Sequence, residues 1–549
     1  MPWDTPDVST EASVPPLVQA RAAFRNQRWD AAYKAYAEAR EHVVLTPEDL
    51  EAMSDAAWWI GLPEEASSLS EEVHRRCIEE GQPSLAAMAA MNIGLMAFLR
   101  GRMAVGSGWL SRARRLLDGV PHSVEHGYLR MIEAEDSLDA GDLDEALEGA
   151  RELLALGRQH GDQTLQSMAL VAEGTARVKQ GQLSEGLALL DEAMLAVVAG
   201  EVRPEFAGNI YCRMMALCHD LLDLRRAREW TVATQRWCDT FSSAAMFTGI
   251  CRLHRAQLLV AAGEWDSAEA EARRVCDELI ELNVAVVGEA WYQIAELARL
   301  RGDHAEADAA FRRAVGFGRD PQPGLALLWS ADGRPREALA ALTSSLSVAH
   351  SDPFRRARLL AVSVEVALEV GDAAVATDGA DALSHIAQTW PTPGFRALAA
   401  HARGLALLAA DDPAAAVVPL RNAVTWWRDM DAMLPAAMAR VHMARARAAS
   451  GDLRGARVEA EAAHAALSGM GAAHRALEGG DPAATGGLTR REVEVLAMVA
   501  EGATNRQVAA ALAISQKTVA RHLANIYLKL GVSTRTAAGA WAHRHGIRS

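Results

Sequence analysis

Apolar side chains recur at helical spacing near the carboxyl end of this 549-residue chain, in the segment "ISQKTVARHLANIYLKLG" over residues 514–531. Four of them fall at i, i+4, i+7 and i+11 and therefore line one side of a predicted helix: Val519, Leu523, Ile526 and Leu530. The opposite side carries cations and small or apolar residues: Lys517, Ala520, Arg521, Ala524 and Leu528. The pattern predicts a helix over residues 516–530 with one buried face and one exposed face.

Two shorter helical patterns precede this helix. In "TRREVEVLAMVAEG", Thr489 and Glu492 have the spacing of a capping box, and Gly502 ends the pattern. "TNRQVAAALA" predicts the second helix, and Ser515 is placed to cap the third. The connection over residues 513–515 is short enough to make the last two helices cross steeply. The arrangement predicts a helix-turn-helix.

A different pattern repeats through the rest of the chain, with successive copies mostly 38 to 41 residues apart. A glycine is followed by a polar residue, and Ala or Gly always stands five positions on, as in "GDLDEA". The clear copies begin at Gly141, Gly181, Gly263, Gly302, Gly333 and Gly451. Weaker copies begin at Gln27, Gly61, Gly101, Leu222, Gly371 and Asp411.

Each copy predicts a tight turn between two antiparallel helices. The first residue ends one helix in a left-handed conformation, the acidic residue after it begins the next, and the small residue lets the two helices approach closely. Such pairs bury their apolar faces by stacking into a superhelix with a concave surface. We therefore expect an all-α solenoid of about twelve helix pairs over residues 17–477. It resembles the tetratricopeptide class, with longer helices than the usual repeat.

Three stretches depart from this repeat. The interval from Gly302 to Gly333 is only 31 residues long and contains the helix breakers of "GFGRDPQPG", which fit either a hinge between two half-solenoids or a shortened repeat. Residues 1–16 are acidic and proline-rich and predict a disordered lead-in. Residues 478–487, "EGGDPAATGG", predict a flexible linker.

Charge is distributed unevenly along the chain. Residues 487–549 carry nine Arg or Lys and three Glu, a balance of +6, whereas the whole chain has a formal charge of −15 and the remainder therefore −21. An acidic body repels phosphate, and a compact basic module attracts it. The module at residues 488–549 is therefore the candidate for binding nucleic acid.

Other classes of function lack their motifs in this sequence. No lysine stands in a GxxxxGK[ST] frame, so an ATP-driven P-loop switch is not predicted. HExxH, GxSxG and GxGxxG are absent, and the six cysteines have no CxxC spacing. No apolar stretch reaches the roughly 18 residues that a membrane span needs. We expect a cytoplasmic protein that is not an enzyme, does not enter a membrane, and uses no cofactor or metal.

The carboxyl-terminal segment "LTRREVEVLAMVAEGATNRQVAAALAISQKTVARHLANIYLKLGVSTRTAA", residues 488–538, resembles the LuxR-type helix-turn-helix. The residues that fall on the family pattern are Thr489, Arg491, Glu492, Val495, Leu496, Ala500, Gly502, Asn505, Ala509, Leu512, Ser515, Thr518, Val519, His522, Asn525, Ile526, Lys529, Leu530, Val532 and Arg535. The match covers roughly the last 60 residues. It implies a small four-helix DNA-binding domain after the solenoid.

The resemblance also implies roles for individual residues. Five would hold phosphates or brace the fold: Asn505, Thr518, His522, Lys529 and Arg535. Lys517, Arg521 and Asn525 complete the predicted DNA-binding set. Many family members carry a second long polar or basic residue at the positions of Ala520 and Ala524, so Arg521 is here the main candidate for contacting bases. The helix that begins near Thr534 would mediate dimerisation.

These observations predict a bacterial, DNA-binding transcriptional regulator. It would bind double-stranded promoter DNA as a homodimer and act with RNA polymerase, while the solenoid senses a peptide, protein or small-molecule effector. The alternative is a protein-interaction scaffold whose helix-turn-helix no longer binds DNA.

Overall fold

The structure is a computed structural model that describes residues 15–238, 245–349, 352–472, 488, 490–512, 514–544 and 547. Every regular element within these residues is an α-helix. The helices up to residue 469 are α1 (Pro16–Arg25), α2 (Trp29–Arg40), α3 (Pro47–Trp59), α4 (Pro63–Glu79), α5 (Pro83–Leu99), α6 (Met103–Leu117), α7 (Val124–Ala140), α8 (Leu143–His160), α9 (Gln163–Lys179), α10 (Leu183–Val198), α11 (Pro204–Asp220), α12 (Leu224–Cys238), α13 (Ala245–Ala262), α14 (Trp265–Leu279), α15 (Val284–Arg301), α16 (His304–Gly316), α17 (Gly324–Ala331), α18 (Pro335–Val348), α19 (Pro353–Val370), α20 (Ala373–Thr389), α21 (Pro393–Ala409), α22 (Pro413–Asp429), α23 (Met433–Ala449) and α24 (Leu453–Gly469). The carboxyl-terminal module contains α25 (Arg490–Ala500), α26 (Asn505–Ala511), α27 (Gln516–Leu530) and α28 (Arg535–Arg544).

Some sequence predictions concern residues outside this description. The predicted linker, residues 1–14 of the predicted lead-in and the proposed cap Thr489 all lie there. Helix α1 begins at Pro16, the last residue of the predicted lead-in, where the fixed φ of proline suits the first position of a helix. None of the described helices is both long enough and apolar enough to span a lipid bilayer.

The structure confirms the predicted turn at all twelve copies of the repeat. The residue between the paired helices has positive φ in every copy, for example 82° at Gly141 and 81° at Gly302. Three copies have a side chain at this position: Gln27 (φ 55°), Leu222 (φ 53°) and Asp411 (φ 64°). A left-handed conformation costs such residues roughly 1–2 kcal/mol. The packing of the two helices therefore imposes the turn even where glycine is absent.

The small residue five positions after each turn lies in the contact between the paired helices. It is buried in all twelve copies. Between α9 and α10, a Cβ atom added at Gly186 would lie 2.5 Å from the backbone oxygen of Gly174 and 2.9 Å from the backbone nitrogen of Val178. The sequence pattern thus marks the points of closest helix approach.

The short interval after Gly302 contains a shortened repeat. Helix α17 has only eight residues, whereas α15 and α19 on either side have 18 each. Ala326 and Leu328 of α17 are nevertheless buried, and Ala326 packs in a cluster with residues of α18 and α19. The stacking of the helix pairs therefore continues through this interval.

Helix pairs that are distant in sequence also contact each other. Trp390, after α20, donates a hydrogen bond from Nε1 to the backbone oxygen of Val178 in α9 at 2.6 Å, and both are buried. Thr392 Oγ1 donates to the backbone oxygen of Leu221, after α11, at 2.7 Å. One hydrophobic core joins residues of α5–α13 with residues of α19–α21. The superhelix therefore coils tightly enough for its tenth and eleventh pairs to pack on its fifth and sixth.

The carboxyl-terminal module has a hydrophobic core of its own. Its fully buried side chains come from all four helices: Val495, Leu496, Val508, Val519, Ile526, Ala538 and Ala542. The first helix, α25, is followed by Gly502 in the left-handed conformation, as the sequence predicts. Packing against α25 and α28 gives α27 a fixed buried side.

Replacing Gly186 by alanine should lower the free energy of unfolding by about 1–3 kcal/mol, because the added methyl group meets the backbone of α9. Gly108 is a matched control, since it lies within α6 but a Cβ there would have no heavy atom within 4 Å. Gly108→Ala should instead raise the free energy of unfolding by about 0.5–1 kcal/mol. Thermal unfolding followed by circular dichroism checks both, and equal melting temperatures for the two variants would contradict the assigned contact.

Candidate nucleic-acid interface

Side-chain caps fix where the two helices of the helix-turn-helix begin. Ser515 Oγ accepts a hydrogen bond from the backbone nitrogen of Thr518 at 3.0 Å, which confirms the predicted cap of α27. At the start of α26, Thr504 Oγ1 accepts from the backbone nitrogen of Gln507 at 3.3 Å. Gln507 Oε1 accepts in return from the backbone nitrogen of Thr504 at 2.7 Å. These capping bonds satisfy backbone groups that the first helical turn leaves unpaired.

Helix α27 has the two faces that its sequence predicts. Val519, Leu523 and Ile526 are buried, while Leu530, also predicted to be buried, is half-buried at the end of the helix. The exposed residues of α27 are Gln516, Lys517, Ala520, Arg521, Ala524 and Leu528. The exposed face thus presents cations and apolar side chains to solvent.

Lys517 and Arg521 are the unpaired cations of this face. Both are exposed, and neither forms an ion pair or a side-chain hydrogen bond with any described residue. They lie four residues apart and therefore on one side of the helix. Their ammonium and guanidinium groups are available to an anion outside the chain.

Lys529 lies in an ion pair within the module. Its Nζ is 2.7 Å from Glu492 Oε2 of α25, and the two side chains are 22% and 4% exposed. A carboxylate as buried as that of Glu492 requires a nearby cation or hydrogen-bond donors. Of the two roles that the LuxR resemblance implies for Lys529, this contact fits bracing of the fold.

Arg535 and Asn505 contact each other. Arg535 Nη1 donates to Asn505 Oδ1 at 2.9 Å, and its Nη2 donates to the backbone oxygen of Ala503. These bonds connect the first residue of α28 to the start of α26. Arg535 therefore holds the helix-turn-helix against the helix that follows it.

The remaining predicted residues lie at the edge of the exposed face. Thr518 Oγ1 is 2.8 Å from Ser515 Oγ, so this hydroxyl belongs to the cap. His522 and Asn525 are half-buried. Burial lowers the pKa of His522 despite the opposing effect of the Glu492 carboxylate. This shift favours the uncharged imidazole.

Arg506 is an exposed cation that the sequence reasoning did not single out. It is the second residue of α26, and its guanidinium has no hydrogen bond or ion pair with the described residues. The sequence could have indicated an exposed arginine here, because Arg506 stands between Thr504 and Gln507, which form the capping box of α26. Its side chain extends into solvent from the first turn of α26.

Lys529→Ala should destabilise the carboxyl-terminal module by about 3 kcal/mol, because it leaves Glu492 buried without its cation. Lys517→Ala is the control, since it removes an exposed lysine from the same helix and should change the stability by less than about 0.5 kcal/mol. Hydrogen exchange measured by mass spectrometry on peptides from residues 490–544 isolates the module from the repeats. Equal protection in the two variants would contradict the bracing role of Lys529.

Comparisons with known proteins agree with this geometry. Residues 487–542 match the family described as bacterial regulatory proteins, luxR family. Over 60 residues, the chain is 50% identical to the transcriptional regulatory protein LiaR of Bacillus subtilis and 43% identical to the response regulator protein VraR of Staphylococcus aureus. The LiaR match covers 11% of this chain and 28% of LiaR, and the VraR match covers 11% and 29%. The chain thus spans less than a third of the length of these relatives.

A solved structure also aligns with most of the chain. The APC/C hetero-tetramer Cut9–Hcn1 has 13% identity and a TM-score of 0.42, and the match covers 96% of this chain and 95% of that chain. The assignment of the repeats depends on the helix pairs themselves, with their left-handed turns and buried small residues. The described residues therefore form tetratricopeptide-like helix pairs, and residues 487–542 are similar to the luxR family of bacterial regulatory proteins.

Proposed function

We propose that this chain is a sequence-specific, DNA-binding transcriptional regulator. The observation that carries the proposal is the exposed face of α27, where Lys517 and Arg521 have no partner among the described residues. The other side of the same helix is fixed in a hydrophobic core. A rigid helix with unpaired cations on its free side suits the major groove of a DNA duplex.

The cations have different roles in this proposal. Lys517, and Arg506 at the start of α26, neutralise phosphates and supply affinity that does not depend on sequence. Arg521 supplies selectivity, since a guanidinium can donate two hydrogen bonds to the N7 and O6 atoms of guanine. Thr518, His522 and Asn525, at the edge of the face, contribute hydrogen bonds to the DNA backbone. Lys529, Arg535 and Asn505 act indirectly by keeping α27 in place.

The assembly around the DNA extends the proposal. The module binds as a homodimer through α28, so that two copies of α27 contact two half-sites. The DNA-bound dimer acts on RNA polymerase, and the repeat region receives an effector or partner that controls it. Such a regulator works in the cytoplasm and needs no enzymatic activity. The remainder of the chain, at −21, is acidic and leaves DNA binding to residues 487–549, at +6.

Arg521→Ala should reduce the preference for the selected sequence over a scrambled duplex by about 1–3 kcal/mol, because it removes the contact with guanine.

Lys517→Ala should weaken binding to both duplexes alike and lower the slope of log K against log salt by about 0.9. Fluorescence anisotropy with the full chain measures both effects on a duplex enriched from a random pool.

Arg457→Ala is the matched control for these variants. It removes an arginine that is 79% exposed on α24, within the acidic repeat region, and should leave both affinities unchanged. If the wild-type chain retained no duplex at low salt, it would instead fit an interaction scaffold that does not bind DNA. If Arg521→Ala preserved the full sequence preference, the role of Arg521 in selectivity would be wrong.

A further inference from the structure

Leu528 lies on the exposed face of α27 and is not one of the proposed phosphate or base contacts. Leu528 is 83% exposed, and it is the one large hydrophobic residue that is exposed within the described part of the module. Other apolar side chains of α27, including Val519 and Leu523, are buried in the core. A single exposed leucine needs no partner, but Leu528 continues an exposed apolar line through Ala520 and Ala524, and Lys517 and Arg521 border that line. An exposed apolar patch that is bordered by polar residues indicates a contact with a partner.

Helix geometry places Leu528 among the residues that face the DNA. At about 100° per residue, Leu528 lies opposite the buried Val519 and roughly 20° around the helix axis from Arg521. Along the axis it is about 6 Å from Ala524 and about 10 Å from Arg521. A recognition helix lies in the major groove, where residues over about two turns of its exposed side contact bases. Arg521, Ala524 and Leu528 span two turns on one side of α27.

The surroundings of Leu528 favour a nucleic-acid partner over a protein partner. Lys517 and Arg521 flank the same face, and α27 carries no carboxylate along its length. Short side chains at Ala520 and Ala524 let the helix backbone come close to its partner. On the major-groove edge of DNA, the apolar group is the C5 methyl of thymine.

We propose that Leu528 and Ala524 pack against thymine methyl groups in the major groove, so that the half-sites bound by this chain contain thymine next to the base contacted by Arg521. This inference rests on the proposed DNA-binding function and adds to it a class of base and a specificity-determining residue. Selectivity then comes from two kinds of contact, hydrogen bonds from a guanidinium and apolar packing on methyl groups.

The test uses a fluorescein-labelled duplex enriched from a random pool by the full chain, and a copy in which deoxyuridine replaces thymidine. Deoxyuridine lacks the C5 methyl but keeps the base-pairing groups. The wild-type chain should bind the deoxyuridine copy about fourfold more weakly for each methyl that it contacts. Leu528→Ala should weaken binding to the thymidine duplex and should lose correspondingly less affinity on the change to deoxyuridine.

Leu453→Ala is the matched control, because Leu453 is 56% exposed on α24 in the repeat region. It should bind both duplexes as the wild-type chain does. A melting temperature of Leu528→Ala equal to that of the wild type verifies that the variant folds, as expected for an exposed helical position.

Each contrary outcome points to a different failure. If the wild-type chain binds the enriched duplex tightly but equally well with deoxyuridine, the methyl contact is wrong and the DNA-binding proposal stands. Enriched sequences that contain no thymine would also contradict the methyl contact and leave the DNA-binding proposal intact. If Leu528→Ala weakens binding to both duplexes equally and lowers the mass of the complex in sedimentation, Leu528 serves a contact between protein copies. If no duplex is enriched, the inference fails together with the proposed function.

Discussion

The repeat region depends on one backbone constraint, a residue with positive φ between the helices of each pair. This residue reverses the chain within a few positions and brings the next helix back along the first. The small residue five positions later then sits in the contact, and it is buried in every pair. At Leu222, whose φ is 53°, the turn persists against the preference of the side chain. Packing of apolar helix faces must supply the free energy that holds it there.

In the carboxyl-terminal module, some charged side chains hold the helices together and others remain exposed. Glu492 is almost fully buried and engages Lys529, while Arg535 engages Asn505. These contacts use two of the module's cations to hold its helices together. Lys517 and Arg521 remain exposed on the other side of α27. The module therefore keeps α27 rigid from within and presents positive charge outward, which is the arrangement that recognition of a polyanion requires.

Much of this architecture could be predicted because it depends on local sequence. The spacing of Val519, Leu523 and Ile526 determines which side of α27 is buried, and the glycine pattern determines where helices turn back. The contact of Trp390 with Val178 could not be predicted, because it joins residues 212 positions apart and depends on how tightly the superhelix coils. The ion pair of Lys529 with Glu492 could not be predicted either, because the positions of cations in a sequence do not reveal which of them faces a buried carboxylate.

The central claim is that α27 recognises a DNA sequence through its exposed face. The most direct measurement is the dissociation constant of the full chain for its enriched duplex and for a scrambled copy of the same composition, at one salt concentration. If α27 recognises a sequence, the enriched duplex should bind about a thousandfold more tightly. Equal dissociation constants for the two duplexes would contradict this claim, because contacts with phosphates alone do not distinguish one sequence from another.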